Sequence, residues 1–282
     1  MEKRWSIIIP TGFRYEYLRR ELGDLMRQEF PSDRFEIVVV DDTPEGTNRP
    51  LVEAAASGSP VALRWVTRRG IQGPNAARNS GIEVATGDML AFVDDDCRFP
   101  PSWLATLDRG VAAAPQAECY GGPIRIRLEG RHPRCCGRDA FPITNLDHGP
   151  DDRFVDVVFS ANMAVPRSAF ERIGPFKEDQ AIYGDETEWI MRLRRRGGLV
   201  RYVAGAGVFH TRLSQDISRK GMLQVARLRG RNLAISDREL GLTEDRVDVA
   251  IRVARMSAHA ILFRCWSAAA HGSQAATYLW HA

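Results

Sequence analysis

The chain has 282 residues, 44% of them hydrophobic and 27% charged, with a net charge of only +3. That length buries a sizeable core, as one large α/β domain or a domain with an appendage, and the composition is that of an ordinary globular protein. The small net charge argues against nucleic acid as a partner, and no apolar stretch approaches the ~20 residues of a membrane span.

The N-terminus runs straight into a strand-like segment, Trp5 to Ile9, stopped by Pro10, and a cytoplasmic protein is expected. Tyr15 to Glu29 shows helical spacing of Leu18, Leu22, Leu25 and Met26. Phe35 to Val40 reads as the next strand, closed by Asp41-Asp42 and the turn residues Thr43-Pro44-Glu45-Gly46. Leu51 to Ala56 is helix-like, Val61 to Val66 strand-like and Asn75 to Ala85 helical. The next strand, Met89 to Val93, ends abruptly in Asp94-Asp95-Asp96. Alternation of strand and helix with near-continuous apolar strands predicts a mostly parallel sheet covered by helices on both faces. Ligands of such sheets sit beyond the carboxyl ends of the strands, where Asp41, Asp42 and Asp94 to Asp96 all fall.

Three adjacent carboxylates repel one another, so a fold that gathers them at a sheet mouth calls for a cation. In an extended or tightly turning segment Asp94 and Asp96 point the same way with Asp95 opposed, which suits a clamp on one hard divalent ion.

Beyond this point Pro101 to Ala114 is predicted as a helix and Glu118 to Leu128 as one strand with a wet face. Gly130 to Asp152 reads as a long loop that can fold over a ligand. Val155 to Val165 is apolar around Ser160-Ala161-Asn162, Arg167 to Ile173 is a short helix, and Gly184-Asp185-Glu186-Thr187-Glu188-Trp189 opens another. Leu199 to Val203 and Gly207 to Phe209 are closing strands, with His210 at the last edge. A domain boundary is placed at 211, and Arg212 to Ala282 reads as helical and Arg-rich, packing on the main domain or on a second copy, closing over the site as a lid through Arg212, Arg219 and Lys220, or lying on a membrane surface.

The five cysteines are odd in number and hold no Cys-x-x-Cys pair, against a disulfide framework or a zinc ribbon. His132, Cys135, Cys136 and His148 match no common zinc spacing and read as a loop with incidental thiols.

Six motifs in order then carry a resemblance. Ile7-Ile8-Ile9-Pro10, Val38-Val39-Val40-Asp41-Asp42, Gly73-Pro74-Asn75-Ala76-Ala77-Arg78-Asn79-Ser80-Gly81, Ala91-Phe92-Val93-Asp94-Asp95-Asp96, Ser160-Ala161-Asn162-Met163 and Gly184 to Trp189 together resemble the family 2 glycosyltransferases of GT-A fold. The resemblance spans Trp5 to His210 and implies metal-dependent, inverting transfer of a sugar from a nucleotide diphosphate donor, a UDP-sugar by preference.

By that resemblance Pro10, Thr11, Asp42, Gly73, Arg78, Asp94 and Asp95 bind the nucleotide-sugar, with Asp42 accepting a hydrogen bond from an imide N–H of the base. Asp94 and Asp96, with His210, hold Mg2+ or Mn2+, the last Asp being the firmest ligand. Inversion needs a base for the acceptor hydroxyl or amine. The family supplies it from a Glu-Asp pair; here the order is Asp185-Glu186, a swap, with Glu186 in the base position and Asp185 beside it. The acceptor is unread, and a homodimer is compatible with the C-terminal helices.

Two other readings stand beside this one. A haloacid-dehalogenase-like phosphatase also opens its site with a strand ending Asp-x-Asp, although Arg98 stands where that class has Thr, Ser or Val. A non-catalytic binding subunit is motivated by the Asp-Glu swap. A dinucleotide-dependent dehydrogenase fails because Pro10-Thr11-Gly12 lacks the Gly-x-Gly-x-x-Gly turn.

Overall fold

A computed structural model describes residues 3–129, 145–178, 185–213, 218–240 and 244–281. The first half of the chain runs β1 (Trp5–Thr11), α1 (Tyr15–Leu25), β2 (Phe35–Asp41), α2 (Arg49–Ala56), β3 (Ala62–Thr67), α3 (Pro74–Val84) and β4 (Met89–Val93). There follow the two-residue β5 (Cys97–Arg98), α4 (Trp103–Ala113), β6 (Cys119–Gly121) and β7 (Ile124–Glu129). Next come β8 (Arg153–Val155), β9 (Asn162–Pro166), α5 (Arg167–Ile173), α6 (Asp185–Arg195), β10 (Val200–Tyr202) and β11 (Val208–Leu213). Three helices end the chain: α7 (Arg219–Leu240), α8 (Arg246–Leu262) and α9 (Trp266–His281).

The described residues form two compact units. One takes in 3–125, 146–178 and 185–210, and the other 126–129, 145, 211–213 and the last three helices.

In the first unit the strands stand in the order β3-β2-β1-β4-β9-β6-β10-β8. β1 pairs in parallel with β2, from Trp5 opposite Phe35 to Thr11 opposite Asp41, and on its other side with β4, from Trp5 opposite Met89 to Ile8 opposite Phe92. Chain order reverses at β1, so a crevice opens between the carboxyl ends of β1 and β4. Ile7, Ile8, Val38, Val39, Leu90 and Phe92 are fully buried, as strands covered on both faces must be. Helix α3 packs on β1 and β2. A Cβ on Gly81 would lie 2.4 Å from Ile8 Cγ2, so only glycine permits this approach.

The sheet departs from a wholly parallel one at β9, which runs antiparallel to both β4 and β6. The single strand expected over Glu118 to Leu128 is two, β6 and β7. Pro123 breaks it, having no N–H for a ladder. Asn162 ties the break down: its Nδ2 donates to the carbonyls of Ala206 at 2.7 Å and Pro123 at 3.2 Å, and its Oδ1 accepts from Trp103 Nε1 at 3.0 Å. Of the residues weighed for zinc, His132, Cys135 and Cys136 lie outside the described residues, while His148 packs edge-on against Tyr202 at 5.1 Å.

In the second unit α9 packs against both α7 and α8. Ala234, Val249, Ala275 and Tyr278 form one small apolar cluster, and Met222, Ala226 and Ala270 another. Asp245 caps α8, accepting from the amides of Val247 at 2.7 Å and Asp248 at 3.2 Å. No described helix is long and apolar enough to cross a membrane.

Candidate active site

The parallel register delivers Thr11, Asp41 and Val93 to one edge of the sheet, and the acids follow directly. Asp94 to Cys97 is a tight turn closed by Cys97 N–H to Asp94 O at 3.1 Å. Within it the three carboxylates diverge, with Asp95 turned toward β1. Its Oδ2 accepts from Thr11 Oγ1 at 2.9 Å, and Arg14 Nη1 stands 3.3 Å from its Oδ1. Asp94 and Asp96 share another neighbour: His210 Nε2 is 2.6 Å from Asp96 Oδ1 and 3.8 Å from Asp94 Oδ2.

His210 reaches this place because β11 pairs antiparallel with β5, setting it opposite Cys97. Arg78, buried in α3, donates to Asn75 Oδ1 at 3.1 Å and pairs through Nη2 with Asp94 Oδ1 at 3.3 Å. Gly73 precedes α3 with φ +148 and open space around its absent Cβ. Pro10 lies half-buried in β1, one residue before Thr11.

The two acids after β2 divide their work. Asp41 is buried and accepts from Thr43 Oγ1 at 2.7 Å, Asn48 N at 2.9 Å and Trp65 Nε1 at 3.2 Å. Burial works to raise its pKa, but the hydrogen bonds from Thr43, Asn48 and Trp65 prevail and hold it below the ordinary carboxylate value. Asp42 is half-buried, its N–H donating to Thr11 O at 2.8 Å, its Oδ1 in a close ion pair with Arg68 Nε. So Asp41 shapes the turn, while Arg68 holds the Asp42 carboxylate.

Three residues that pattern and spacing did not single out complete the site. Arg14 Nη1 also makes a close ion pair with Asp96 Oδ2, so one guanidinium bridges two of the three acids. Arg68 guards Asp42. Glu21, on α1, is fully buried, and neither of its oxygens has a hydrogen-bond partner among the described residues. The sequence offers weak signals for them: an Arg just past β1, an Arg just past β3, and an acid on the apolar face of α1.

Electrostatics follow from this crowding. Burial drives the Glu21 carboxyl well above its ordinary value, and the charges of Asp95, Asp96 and Asp94 push the same way. Asp95 is pushed up to about 6, by burial first and by Asp96 and Asp94, against the pull of Arg14 and the Thr11 hydroxyl. Burial, with Asp96 and Asp94 beside it, also drives the Cys97 thiol well above its ordinary value. Ligand atoms of Asp96, Cys97 and His210 lie within 4.8 Å of one another. A thiol held protonated is a poor ligand, which leaves carboxylate oxygen and imidazole, a donor set that fits a hard or borderline divalent ion.

Of the acids expected to act as base, Glu186 is buried in the first turn of α6. The side chain of Asp185 lies outside the described residues. Glu188 is structural: buried, it accepts from Arg192 Nε at 2.8 Å and stands 3.6 Å from Lys177 Nζ. Trp189 is core, its Nε1 donating to Gly174 O at 2.8 Å.

Residues 6–134, which hold β1 through the acidic turn, match the model of glycosyl transferase family 2. The chain carries a family 2 glycosyltransferase domain. Among curated relatives of this domain, the glycosyltransferase AglE of Haloferax volcanii is 27% identical over 195 residues, covering 68% of this chain and 62% of that protein. The validoxylamine A glucosyltransferase of Streptomyces hygroscopicus subsp. jinggangensis is 28% identical over 207 residues, covering 64% and 49%. The chain thus spans less than two thirds of the length of these relatives. Among solved structures, the mannosyltransferase PcManGT from Pyrobaculum calidifontis, in complex with GDP-Man and Mn2+, superposes with a TM-score of 0.68 at 18% identity, covering 99% of this chain and 88% of that one. GalNAc-T7 with UDP, GalNAc and Mn2+ gives 0.59 at 18%, covering 80% and 47%. These likenesses give the family 2 domain its fold, GT-A, as the resemblance had implied.

Proposed function

We propose that this protein is a metal-dependent, inverting glycosyltransferase moving a sugar from a nucleotide diphosphate donor, a UDP-sugar by preference, to an acceptor hydroxyl or amine. The observation that carries the reading is the convergence of Asp94, Asp96 and His210 at the switch point of the sheet, with Arg78 against Asp94. Mn2+ with a nucleotide sugar in PcManGT and Mn2+ with UDP in GalNAc-T7 support it.

Asp94, Asp96 and His210 would hold the divalent ion, Mg2+ or Mn2+, whose chemistry is to offset the charge of the leaving diphosphate. Arg78 adds a fixed cation near the phosphates, in a planar form suited to their oxygens. Asp42 accepts the imide N–H of the base, and Pro10, Thr11, Gly73 and Asp95 line the donor crevice. Thr11 and Asp95 act together, since their 2.9 Å hydrogen bond ties the end of β1 to the acidic turn.

Glu186 takes the acceptor proton as the nucleophile forms its bond to the anomeric carbon and the bond to the diphosphate breaks on the opposite face. Asp185 stands next to it in the chain and orients the acceptor. The first 211 residues do this work in the reading proposed, and 212–282 form a helical C-terminal region.

Calorimetry with UDP, GDP and dTDP, with and without Mn2+, tests the donor site. Metal-dependent UDP binding that is lost in Asp96→Asn is expected; folded protein that binds no nucleotide overturns the reading in favour of a phosphatase or a non-catalytic subunit. Donor hydrolysis then separates enzyme from binding subunit, which should release no sugar. For the base, Glu186→Gln is expected to keep donor binding and lose transfer by about 100-fold or more. Unchanged transfer in both Glu186→Gln and Asp185→Asn would sink that assignment.

A further inference from the structure

Helix α8 is apolar on two faces, and among the described residues only one of them is covered. Val249 and Val253 pack with Ala234, Ala275, Tyr278 and Leu279 of α7 and α9. On the opposite side Val247, Ile251, Ala254, Ala258 and Ile261 recur at alternating steps of four and three residues, and all are exposed. That is the spacing of one continuous helical stripe. Leu262 and Phe263 prolong it at 75% and 57% exposure, and Ile261 itself is 78% exposed.

Glu244, Asp245 and Asp248 stand exposed at the start of the stripe, and beyond them the charge beside it has one sign. From Val249 to Ala282 the sequence holds Arg252, Arg255 and Arg264 and no Asp or Glu. Arg252 is tied back to Glu244 at 3.3 Å. Arg255 flanks the stripe and Arg264 follows its end, both exposed.

This combination decides between occupants. A second copy laid in register on the stripe would set arginine against arginine, and of the acids at the start of the helix Asp245 caps its amides and Glu244 pairs with Arg252, which leaves Asp248 alone for an antiparallel copy. A surface that offers both an apolar layer and fixed negative charge satisfies the stripe and its arginines together. We propose that α8 docks on an anionic phospholipid surface, lying in its plane with Ile251, Ile261, Leu262 and Phe263 in the acyl boundary and Arg255 and Arg264 on headgroup phosphates. Arginine stems run along the apolar layer while their guanidinium groups stay at the phosphates. The helix lies on the bilayer and does not cross it.

The test is co-sedimentation of the full chain with vesicles of phosphatidylcholine, with and without phosphatidylglycerol. Binding is expected only with phosphatidylglycerol and weakens as salt screens the arginines. The pair Ile261→Asp with Leu262→Asp should cut partition by about tenfold or more, since it puts charge where acyl chains pack. Arg255→Ala with Arg264→Ala should lower it by about tenfold on anionic vesicles alone. These side chains are exposed, so unfolding temperature serves as the control; if the Asp pair fails to fold, the Arg pair still decides. Equal partition into both vesicle types, or none into either, overturns the proposal. So does a concentration-dependent dimer by light scattering that the Arg pair strengthens, which would assign the stripe to a second copy.

Discussion

His210 Nε2 stands 2.6 Å from Asp96 Oδ1, although the two residues are more than a hundred positions apart in the chain. Each alone is an ordinary edge residue; together, with Asp94 within 3.8 Å of the same nitrogen, they are the ligand set proposed above for a divalent ion. His210→Gln should therefore weaken Mn2+ binding by about tenfold or more, while leaving metal-free stability within ~1 kcal/mol. Electron paramagnetic resonance of free Mn2+ during titration measures the first, and thermal unfolding the second. Undiminished Mn2+ affinity would remove His210 from the ligand set.

Arg14 pairs with Asp96 through its other oxygen, and with Asp95 as well. A guanidinium there competes with an added cation for Asp96 while relieving the repulsion between Asp95 and Asp96. Arg14→Gln should raise Mn2+ affinity several-fold and lower the unfolding temperature of the metal-free protein. The arginine is about half exposed, so its ion pairs contribute no more than ~1 kcal/mol. A fall in Mn2+ affinity would mean that Arg14 supports the ion instead.

Asp42 and Arg68 make a similar pair at the end of β2. Loss of an accepting charge to a base N–H costs about 1.5–3 kcal/mol. Asp42→Asn should thus weaken nucleotide binding by about tenfold or more and narrow the difference between UDP and other nucleotides. Calorimetry with UDP and with uridine-free diphosphate checks it: diphosphate binding should not change.

Glu21 gives the protein a pH dependence of stated sign. Its folded pKa is raised, so folding binds a proton that the unfolded chain releases above the ordinary carboxyl value of 4.5. Its contribution is complete below that value and is lost as pH rises through the raised pKa, by up to about 1.4 kcal/mol per pH unit. Glu21→Gln keeps the shape and removes the titration. Chemical unfolding from pH 4 to 8 should show the variant gaining on the wild type as pH rises, and parallel curves would refute it.

Asn162 is expected to matter for stability before catalysis. Truncation to Ala strands the carbonyl of Ala206 and the Trp103 N–H, both facing a fully buried side chain, while Pro123 O keeps the Val208 N–H at 2.9 Å. A cost of about 2–5 kcal/mol follows, read as a shift in denaturant midpoint. Metal-dependent nucleotide binding by the variant that remains folded should be near normal.

What the sequence determined by itself was whatever is written locally. Apolar runs such as Ile37 to Val40 and Met89 to Val93 have one stable use, as strands covered on both faces, and the acids that follow them must then fall at the carboxyl edge. The break at Pro123 was written there as well, and the alternation of Ile124, Ile126 and Leu128 concealed it by continuing the strand period across it. Burial sorted Asp41 from Asp42 only once Thr43, Asn48 and Trp65 were folded around the first. Arg14 and Arg68 carry no periodic signal, and Glu21 shows only as an acid on the apolar face of α1, because a charge takes its meaning from what stands within a few ångströms of it. The pairing of β11 with β5, which sets His210 opposite Cys97 and against Asp96, is a long-range register that short segments do not encode. Only the tertiary structure decided it.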